Sequence, residues 1–199
     1  YEISLGLVGS EMCIRDSVCA VETVTVTPGA PTTLVATGSA SEITADQTMT
    51  ITAQVVDQFG NVVPNEVITY TPSNGSMDFA QPNLFNPYAV GLQTIAVGWN
   101  GQTVDVDVLV TTGVATYFTL EGCSGTNPAG VWCSITHTLY DQFDNEIVDV
   151  SQAGSLTWTV ENGNYSTLNE EYFPDHVGVW TLNLTSTSGA EGQLAIVVG

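Results

Sequence analysis

Apolar and polar residues alternate along most of this chain, which is the two-residue period of a β-strand. Two of the clearest runs, 51–56 and 135–140, each lead into a polar turn. The turns read Asp57-Gln-Phe-Gly-Asn61 and Asp141-Gln-Phe-Asp-Asn145, and Asp141 lies 84 residues after Asp57. Matched turns after matched strands indicate tandem copies of one β-domain.

Turn residues between the alternating runs divide each copy into about seven short strands. In the first copy we predict strands at 32–37, 48–56, 66–71, a weak pair between 76 and 85, 91–99 and 102–111. In the second we predict them at 116–121, 131–140, 155–160, 165–173, 177–185 and 193–198. About seven strands in a domain of this size are typical of an immunoglobulin-like sandwich. The predicted fold is therefore all-β, with one such domain at 30–112 and another at 113–199.

Alternation also assigns the side chains that should face each core. On the longest strands these are Met49, Ile51, Ala53 and Val55 in repeat one and Cys133, Ile135, His137 and Leu139 in repeat two. Facing them we expect Tyr70, Ile95 and Val97 in repeat one and Trp158, Trp180, Leu182 and Leu184 in repeat two.

The start of the chain requires separate treatment. Residues 12–17, Met-Cys-Ile-Arg-Asp-Ser, resemble a translated sequencing-library adapter, so residues 1–17 are predicted to be non-native and are excluded from fold reasoning. Residues 18–29 match the end of repeat one at the same spacing of 84, with Gly29 at the place of Gly113. We expect them to be the end of a preceding repeat and its linker, so the chain is read as an excerpt from a longer array.

The net negative charge of the chain argues against two classes of binding partner. The chain has one Lys or Arg, Arg15, and 21 Asp or Glu, of which 18 lie beyond residue 17. A net charge of −18 on that part opposes nucleic-acid binding, because phosphate contacts need Lys or Arg. It also opposes docking on anionic membranes, and no apolar run is long enough to cross one. We expect a saline or cation-rich environment, which would screen the self-repulsion.

The turn and the segment after it carry a family resemblance. An alternating strand, Asp57-Gln-Phe-Gly-Asn61 and then Val62-Val-Pro-Asn-Glu-Val-Ile-Thr-Tyr70 resemble the bacterial immunoglobulin-like domain of the invasin and intimin type. The resemblance covers residues 30–199, although Asp144 replaces the turn glycine in repeat two. It implies a sandwich that serves as a stalk or adhesive segment of a surface protein, with no catalytic site.

The turn aspartates have two interpretations. In the first, Asp57 and Asp141 accept backbone N–H bonds from residues two or three positions on, and Gly60, Asn61 and Asn145 complete the turns. In the second, Asp141, Asp144, Glu146 and Asp149 bind calcium, which prefers six to eight oxygen ligands. Their spacing is not that of a recognised calcium loop, so no cofactor is expected, with calcium kept as the alternative.

Cys123 and Cys133 are both present in repeat two, where repeat one has Ser39 and Met49. Joint presence and joint absence predict a disulfide, and a disulfide implies an oxidising, extracytoplasmic compartment. Free buried thiols and a zinc site are the alternatives. Cys19 has no partner in this excerpt.

No arrangement of residues supports catalysis. His137 should be a partly buried, hydrogen-bonded structural histidine, and His176 should lie exposed in a turn near Asp175. Glu170 and Glu171 are adjacent on a predicted strand, so they would face opposite sides and could not act together. We therefore predict that the chain is not an enzyme.

Two functional hypotheses remain. The first is a stalk or spacer at the cell surface or outside the cell, whose partners are neighbouring repeats and, in an adhesive role, a surface protein or glycan. The second is a carbohydrate- or protein-binding module that uses loops at the ends of the sandwich, where Tyr88, Trp99 and Tyr172 could stack on sugars or instead cap the core. Asn74, Asn164 and Asn183 fit the pattern of N-glycan acceptors.

Overall fold

The computed structural model describes residues 24–199, and these form an all-β chain with a single 3-10 turn at Val150–Ala153. In repeat one the strands are β1 Pro31–Gly38, β2 Glu42–Thr44, β3 Met49–Asp57, β4 Thr69–Pro72, β5 Ser76–Met77, β6 Leu84–Asn86, β7 Gly91–Trp99 and β8 Gln102–Thr111. In repeat two they are β9 Ala115–Gly122, β10 Thr126–Asn127, β11 Cys133–Asp141, β12 Glu146–Ile147, β13 Leu156–Val160, β14 Asn164–Ser166, β15 Glu171–Phe173, β16 Gly178–Ser186 and β17 Glu191–Val198. No helix in the described residues is long and apolar enough to cross a membrane.

Repeat one is a sandwich of two four-stranded sheets, ordered β1-β3-β6-β5 and β2-β8-β7-β4. Its strands pair antiparallel except at β2, which runs parallel to β8. The first strand therefore divides between the two sheets, with β1 in one and β2 in the other. One cluster of buried side chains from Leu34 to Val110 fills the space between the sheets.

Repeat two has the same arrangement, with its first strand divided between β9 and β10. Here a parallel pairing of Tyr117 with Glu191 connects β9 to β17, so the two layers are continuous along one edge. Its buried side chains form two clusters, one around Leu139 and Leu184 and one around Ile135 and Leu182. The prediction of an all-β chain of two immunoglobulin-like sandwiches is confirmed.

The predicted faces agree with the observed burial. Met49, Ile51 and Val55 are buried, and the alternation continues through Ile135 and Leu139 in repeat two. Tyr70 and Trp158 pack against the cores from partly buried positions. Burial of this apolar surface stabilises each sandwich by about 25 cal/mol per Å² removed from water.

One predicted strand is wrong. Residues 165–173 form two strands, β14 and β15, which pair with each other as a hairpin. Glu170 adopts a φ of 55° in the turn between them, a conformation that an extended strand does not contain. Leu168 lies exposed in that turn. Its apolar side chain made the segment resemble one continuous strand.

Candidate functional site

The two repeated turns have nearly identical geometry. Asp57 ends β3, and its Oδ1 accepts the backbone N–H of Phe59 at 2.9 Å and of Asn61 at 2.9 Å. The side-chain amide of Asn61 donates to Oδ2 of Asp57 at 3.0 Å. Gly60 completes the turn with a φ of 84°, a conformation that glycine adopts without steric cost. The carboxylate thus accepts N–H groups two and four positions on, where we predicted two or three.

In repeat two, Oδ1 of Asp141 accepts the N–H of Phe143 at 2.8 Å and of Asn145 at 3.0 Å. The Asn145 amide donates to Oδ2 at 2.9 Å. Asp144, at the place of Gly60, has a φ of 64°. Its carboxylate accepts the hydroxyl of Tyr117 at 2.7 Å. Asp adopts this left-handed conformation at a greater steric cost than Gly does. The bond to Tyr117 fixes the position of its side chain.

The second oxygen of each aspartate binds the linker that enters its own repeat. The N–H of Gly29 donates to Oδ2 of Asp57 at 2.7 Å, and the N–H of Gly113 donates to Oδ2 of Asp141 at 2.9 Å. A Cβ on either glycine would lie 3.3 Å from that carboxylate oxygen, closer than most Cβ contacts. Glycine is therefore suited to this close approach. The sequence contains a signal for it, because both glycines and both aspartates recur at the same spacing of 84.

These hydrogen bonds favour the charged form of both carboxylates. The Asn61 side chain, followed by the backbone of Gly29, lowers the pKa of Asp57 to about 2. At Asp141, burial raises the pKa, but hydrogen bonds from the Asn145 side chain and from backbone groups including Gly113 outweigh it and leave the pKa lowered. Both turns are therefore anionic at neutral pH without any Lys or Arg nearby in the described residues.

Asn145 also reaches across to repeat one. Its Oδ1 accepts the N–H of Val90 at 3.2 Å, and its Nδ2 donates to the carbonyl of Tyr88 at 3.1 Å. On the other side of the linker, the N–H of Val114 donates to Oδ2 of Asp46 at 3.3 Å. The turn of repeat two therefore binds its own linker and the end of the preceding repeat. We call this set of contacts the junction; the sequence did not predict it.

The aromatic candidates for sugar stacking are mostly unavailable. Trp99 is buried and donates Nε1 to Glu66 at 2.7 Å. Tyr172 is buried and donates its hydroxyl to the carbonyl of Asn162 at 2.6 Å. Tyr88 is half-exposed beside the junction. Trp132 was not among the candidates; it is half-exposed, with its ring centroid 5.0 Å from that of Phe173.

The histidines fulfil the expectations in part. The side chain of His137 is mostly buried, as expected, but its Nδ1 has no hydrogen-bond partner among residues 24–199 and lies 3.8 Å from a carboxylate oxygen of Glu170. We expected a hydrogen-bonded histidine here, and the structure gives Nδ1 no hydrogen bond. The ring instead packs edge-on to Phe118 and Trp158. His176 is exposed in its turn, with Nδ1 3.2 Å from Oδ1 of Asn162.

The acidic candidates for a metal site are engaged elsewhere. Asp141 accepts the turn and linker bonds, Asp144 accepts Tyr117, and Asp149 accepts the backbone and hydroxyl of Ser151. Within the part of the chain that the structure describes, no three His, Cys, Asp or Glu side chains come together as metal ligands would. Calcium binding by these residues and Glu146 stays a prediction, which a calorimetric titration with calcium would test.

The other sites predicted from sequence lie at separate places. Cys123 and Cys133 are joined by a disulfide, with their Cα atoms 5.4 Å apart. Asn164 is exposed on β14, whereas Asn183 on β16 is partly buried and accepts a bond from Gln193 at 3.0 Å. The side chain of Asn74 accepts the N–H of Gly75 at 2.7 Å. Use of these asparagines as glycan acceptors stays a prediction.

No protein-family model matches this chain, and neither does any curated protein. Solved bacterial adhesins of the type that the sequence resembles are among the structures that do match. The Escherichia coli adhesin FdeC matches over 86% of this chain and 66% of its own, at 14% identity and a TM-score of 0.46. The Yersinia pseudotuberculosis adhesin InvE matches over 83% and 58%, at 14% identity and a TM-score of 0.41.

Invasin, a bacterial integrin-binding protein, matches over 84% of this chain and 39% of its own, at 18% identity and a TM-score of 0.41. The chain therefore spans between 39% and 66% of the length of these three structures. At identities this low the likeness reaches no further than the fold.

Proposed function

We propose that residues 30–199 are a non-catalytic spacer in which two immunoglobulin-like repeats are held in one relative orientation as part of a surface protein. The observation that carries the proposal is the junction. Asn145 of repeat two binds backbone atoms of Tyr88 and Val90 in repeat one while its own turn binds the linker at Gly113.

The length of the linker supports this proposal. Three residues, 112–114, separate the end of β8 from the start of β9, and two of them donate backbone N–H groups to carboxylates. A connection this short and this well bonded gives the repeats little freedom to swing, unlike a flexible linker of Gly and Ser. A spacer needs that stiffness because its length depends on the angle between successive domains.

The setting and partners of the spacer follow from its chemistry. The disulfide is favoured in an oxidising compartment, so we place the segment outside the cell or on its surface. Its strong negative charge opposes contact with nucleic acids and anionic membranes. Neighbouring repeats of the same protein are the proposed partners, and a surface protein or glycan would be the partner in an adhesive role.

Residual dipolar couplings test the spacer. They report whether the two repeats share one alignment frame, and we expect the native chain to fit a single frame. Asn145→Ala should separate the frames, because it removes the bonds to Tyr88 and Val90. Asn61→Ala is the matched control: Asn61 supports its own turn in the same way but makes no bond to the other repeat among the described residues. Two independent frames in the native chain would contradict the proposal.

A carbohydrate-binding module is the second candidate, favoured by half-exposed Trp132 packed on Phe173 at the end of repeat two. An accessible aromatic face is suited to a sugar ring, and the fully buried rings of this chain are not. A glycan-array screen of the native chain and of Trp132→Ala would test it. Binding that is lost in the variant supports this candidate, and no binding to any glycan rejects it.

A further inference from the structure

We propose that the turn at Asp57 is a docking surface for the end of another repeat of this kind, which it would bind as the turn at Asp141 binds repeat one. The inference rests on the proposed spacer function and extends it to a specific surface with a specific partner. We call the surface the Asp57 face, and it consists of Gly29, Asp57, Phe59 and Asn61.

The Asp57 face has the same internal bonds as the junction. Asp57 binds the linker at Gly29 as Asp141 binds Gly113. Asn61 donates to both oxygens of Asp57, as Asn145 does to both oxygens of Asp141. The linker and the amide are therefore already oriented as the junction requires.

The contacts that differ are those that a second repeat would supply. Oδ1 of Asn145 accepts the N–H of Val90, whereas no group among residues 24–199 donates to Oδ1 of Asn61. Phe143 in the turn of repeat two is 40% exposed, and its counterpart Phe59 is 78% exposed. The Asp57 face thus leaves exposed a Phe ring and an amide oxygen, the two groups that a docked repeat would cover.

The junction also defines what the partner must present. Asn145 binds a carbonyl and an N–H that are two residues apart and lie just before the first residue of β7. Strand pairing gives the equivalent positions in repeat two, because Gly91 pairs with Val110 as Gly178 pairs with Val198. Tyr88 and Val90 therefore correspond to Asp175 and Val177.

This loop of repeat two has the properties of an interface half as well. Val177 is 65% exposed, against 43% for Val90 at the junction. Its N–H makes no hydrogen bond within the described residues, nor does the carbonyl of Asp175. The chain thus presents complementary surfaces at its two ends, which is the condition for a head-to-tail array.

The experiment is a fused chain in which Gly199 is joined directly to Pro28 of a second copy. This places Gly29 three residues after Val198, just as Gly113 lies three residues after Val110. Amide hydrogen exchange is then followed by NMR at near-molar salt. At this salt concentration the repulsion between the like-charged neighbouring repeats has a range of only about 3 Å. Val177 occurs twice in this chain, once at the fused junction and once at the far end, so one molecule contains its own reference.

We expect the Val177 amide at the fused junction to exchange about three- to tenfold more slowly than the one at the far end, as one hydrogen bond allows. Asn61→Ala in the second copy should abolish the difference. Equal exchange at the two Val177 amides, with the amide spectra of both copies folded, would overturn the inference.

Hydrogen exchange at the Val90 amide distinguishes failure of this inference from failure of the proposed spacer function. If Val90 is protected and loses protection in Asn145→Ala, the observed junction stands and only the Asp57 face is wrong. If Val90 is unprotected in the native chain, the proposed spacer fails as well.

Discussion

At the scale of single residues, Asp57 and Asp141 connect three parts of the chain with one carboxylate each. One oxygen holds the turn and the other holds the linker N–H, at Gly29 or Gly113. Without a Lys or Arg nearby, backbone and amide N–H groups alone stabilise the negative charge. The stability that these residues provide therefore depends on their ionisation.

The first prediction concerns Asp57 and pH. The pKa of Asp57 is about 2 in the folded protein and about 3.9 in an unfolded chain. Its charge therefore stabilises the fold fully above a pH of about 3.9, and this stabilisation is lost as the pH falls towards 2. Asp57→Asn should lower the melting temperature of repeat one by several degrees at pH 7, and the difference should disappear near pH 2. Calorimetry across this range measures it.

Exposed Asp105 is the control, because Asp105→Asn also removes one negative charge from repeat one. It should lack the loss of stability seen at Asp57. A melting difference for Asp57→Asn that does not change between pH 7 and 2 would show that the carboxylate charge is irrelevant to the turn.

The second prediction concerns the replacement of the turn glycine. The hydrogen bond to Asp144 is the largest cause that raises the pKa of Tyr117 to about 12. Asp144→Gly should return this pKa towards about 10, because the acceptor is removed. Spectrophotometric titration of tyrosine measures it, and Asp149→Asn is the control. If the titration is unchanged, the hydroxyl does not bind Asp144 in solution.

At the scale of elements, the loop between β9 and β11 distinguishes the repeats. In repeat two the disulfide closes it between Cys123 and Cys133, whereas repeat one has Ser39 and Met49 at those places. Met49 is fully buried in its core. The same connection is therefore stabilised by apolar packing in one repeat and by a covalent bond in the other.

The third prediction follows from this contrast. Replacing both Cys123 and Cys133 by Ser should destabilise repeat two by about 3 kcal/mol in the chain-entropy model, because the unfolded loop regains its freedom. Repeat one contains no such bond and serves as the internal control in the same calorimetric scan. Equal shifts of both transitions would mean that the effect is not local to the loop.

At the scale of the whole molecule, negative charge is nearly unopposed. Residues 18–199 carry 18 carboxylates and no Lys or Arg, so no ion pair with a strong base offsets their repulsion. The buried clusters, one in repeat one and two in repeat two, must keep each repeat folded against this repulsion. The junction must hold the two repeats together. The range of the field is about 10 Å in dilute buffer and roughly 3 Å near molar salt.

The fourth prediction is that the melting temperature rises with NaCl by several degrees between dilute buffer and about 1 M, because salt screens the repulsion. Sucrose at equal osmolality is the control, since it adds no screening. A flat or falling dependence on NaCl would contradict the expectation of a saline environment.

Much of the element level could be predicted because the signals are local. Met49, Ile51 and Val55 alternate with polar neighbours, and that pattern places them in the core. The hairpin at β14 and β15 could not be predicted, because the left-handed residue in its turn is Glu170 and not the Gly or Asn that indicates such a turn. Parallel β2 and β10 are too short for any periodicity to be detected.

The amino-acid sequence by itself determined the class of fold and the turn chemistry, since each depends on residues a few positions apart. It also revealed the two copies, because the turn recurs at a spacing of 84. Only the tertiary structure revealed that Asp57 binds a residue 28 positions away and that Asn145 binds residues 55 and 57 positions away. The physical reason is that these partners are backbone N–H and C=O groups. Almost every residue has both, so residue types do not say which groups pair. The recurrence of Gly29 at Gly113 marks the two glycines, but not the carboxylates that they bind.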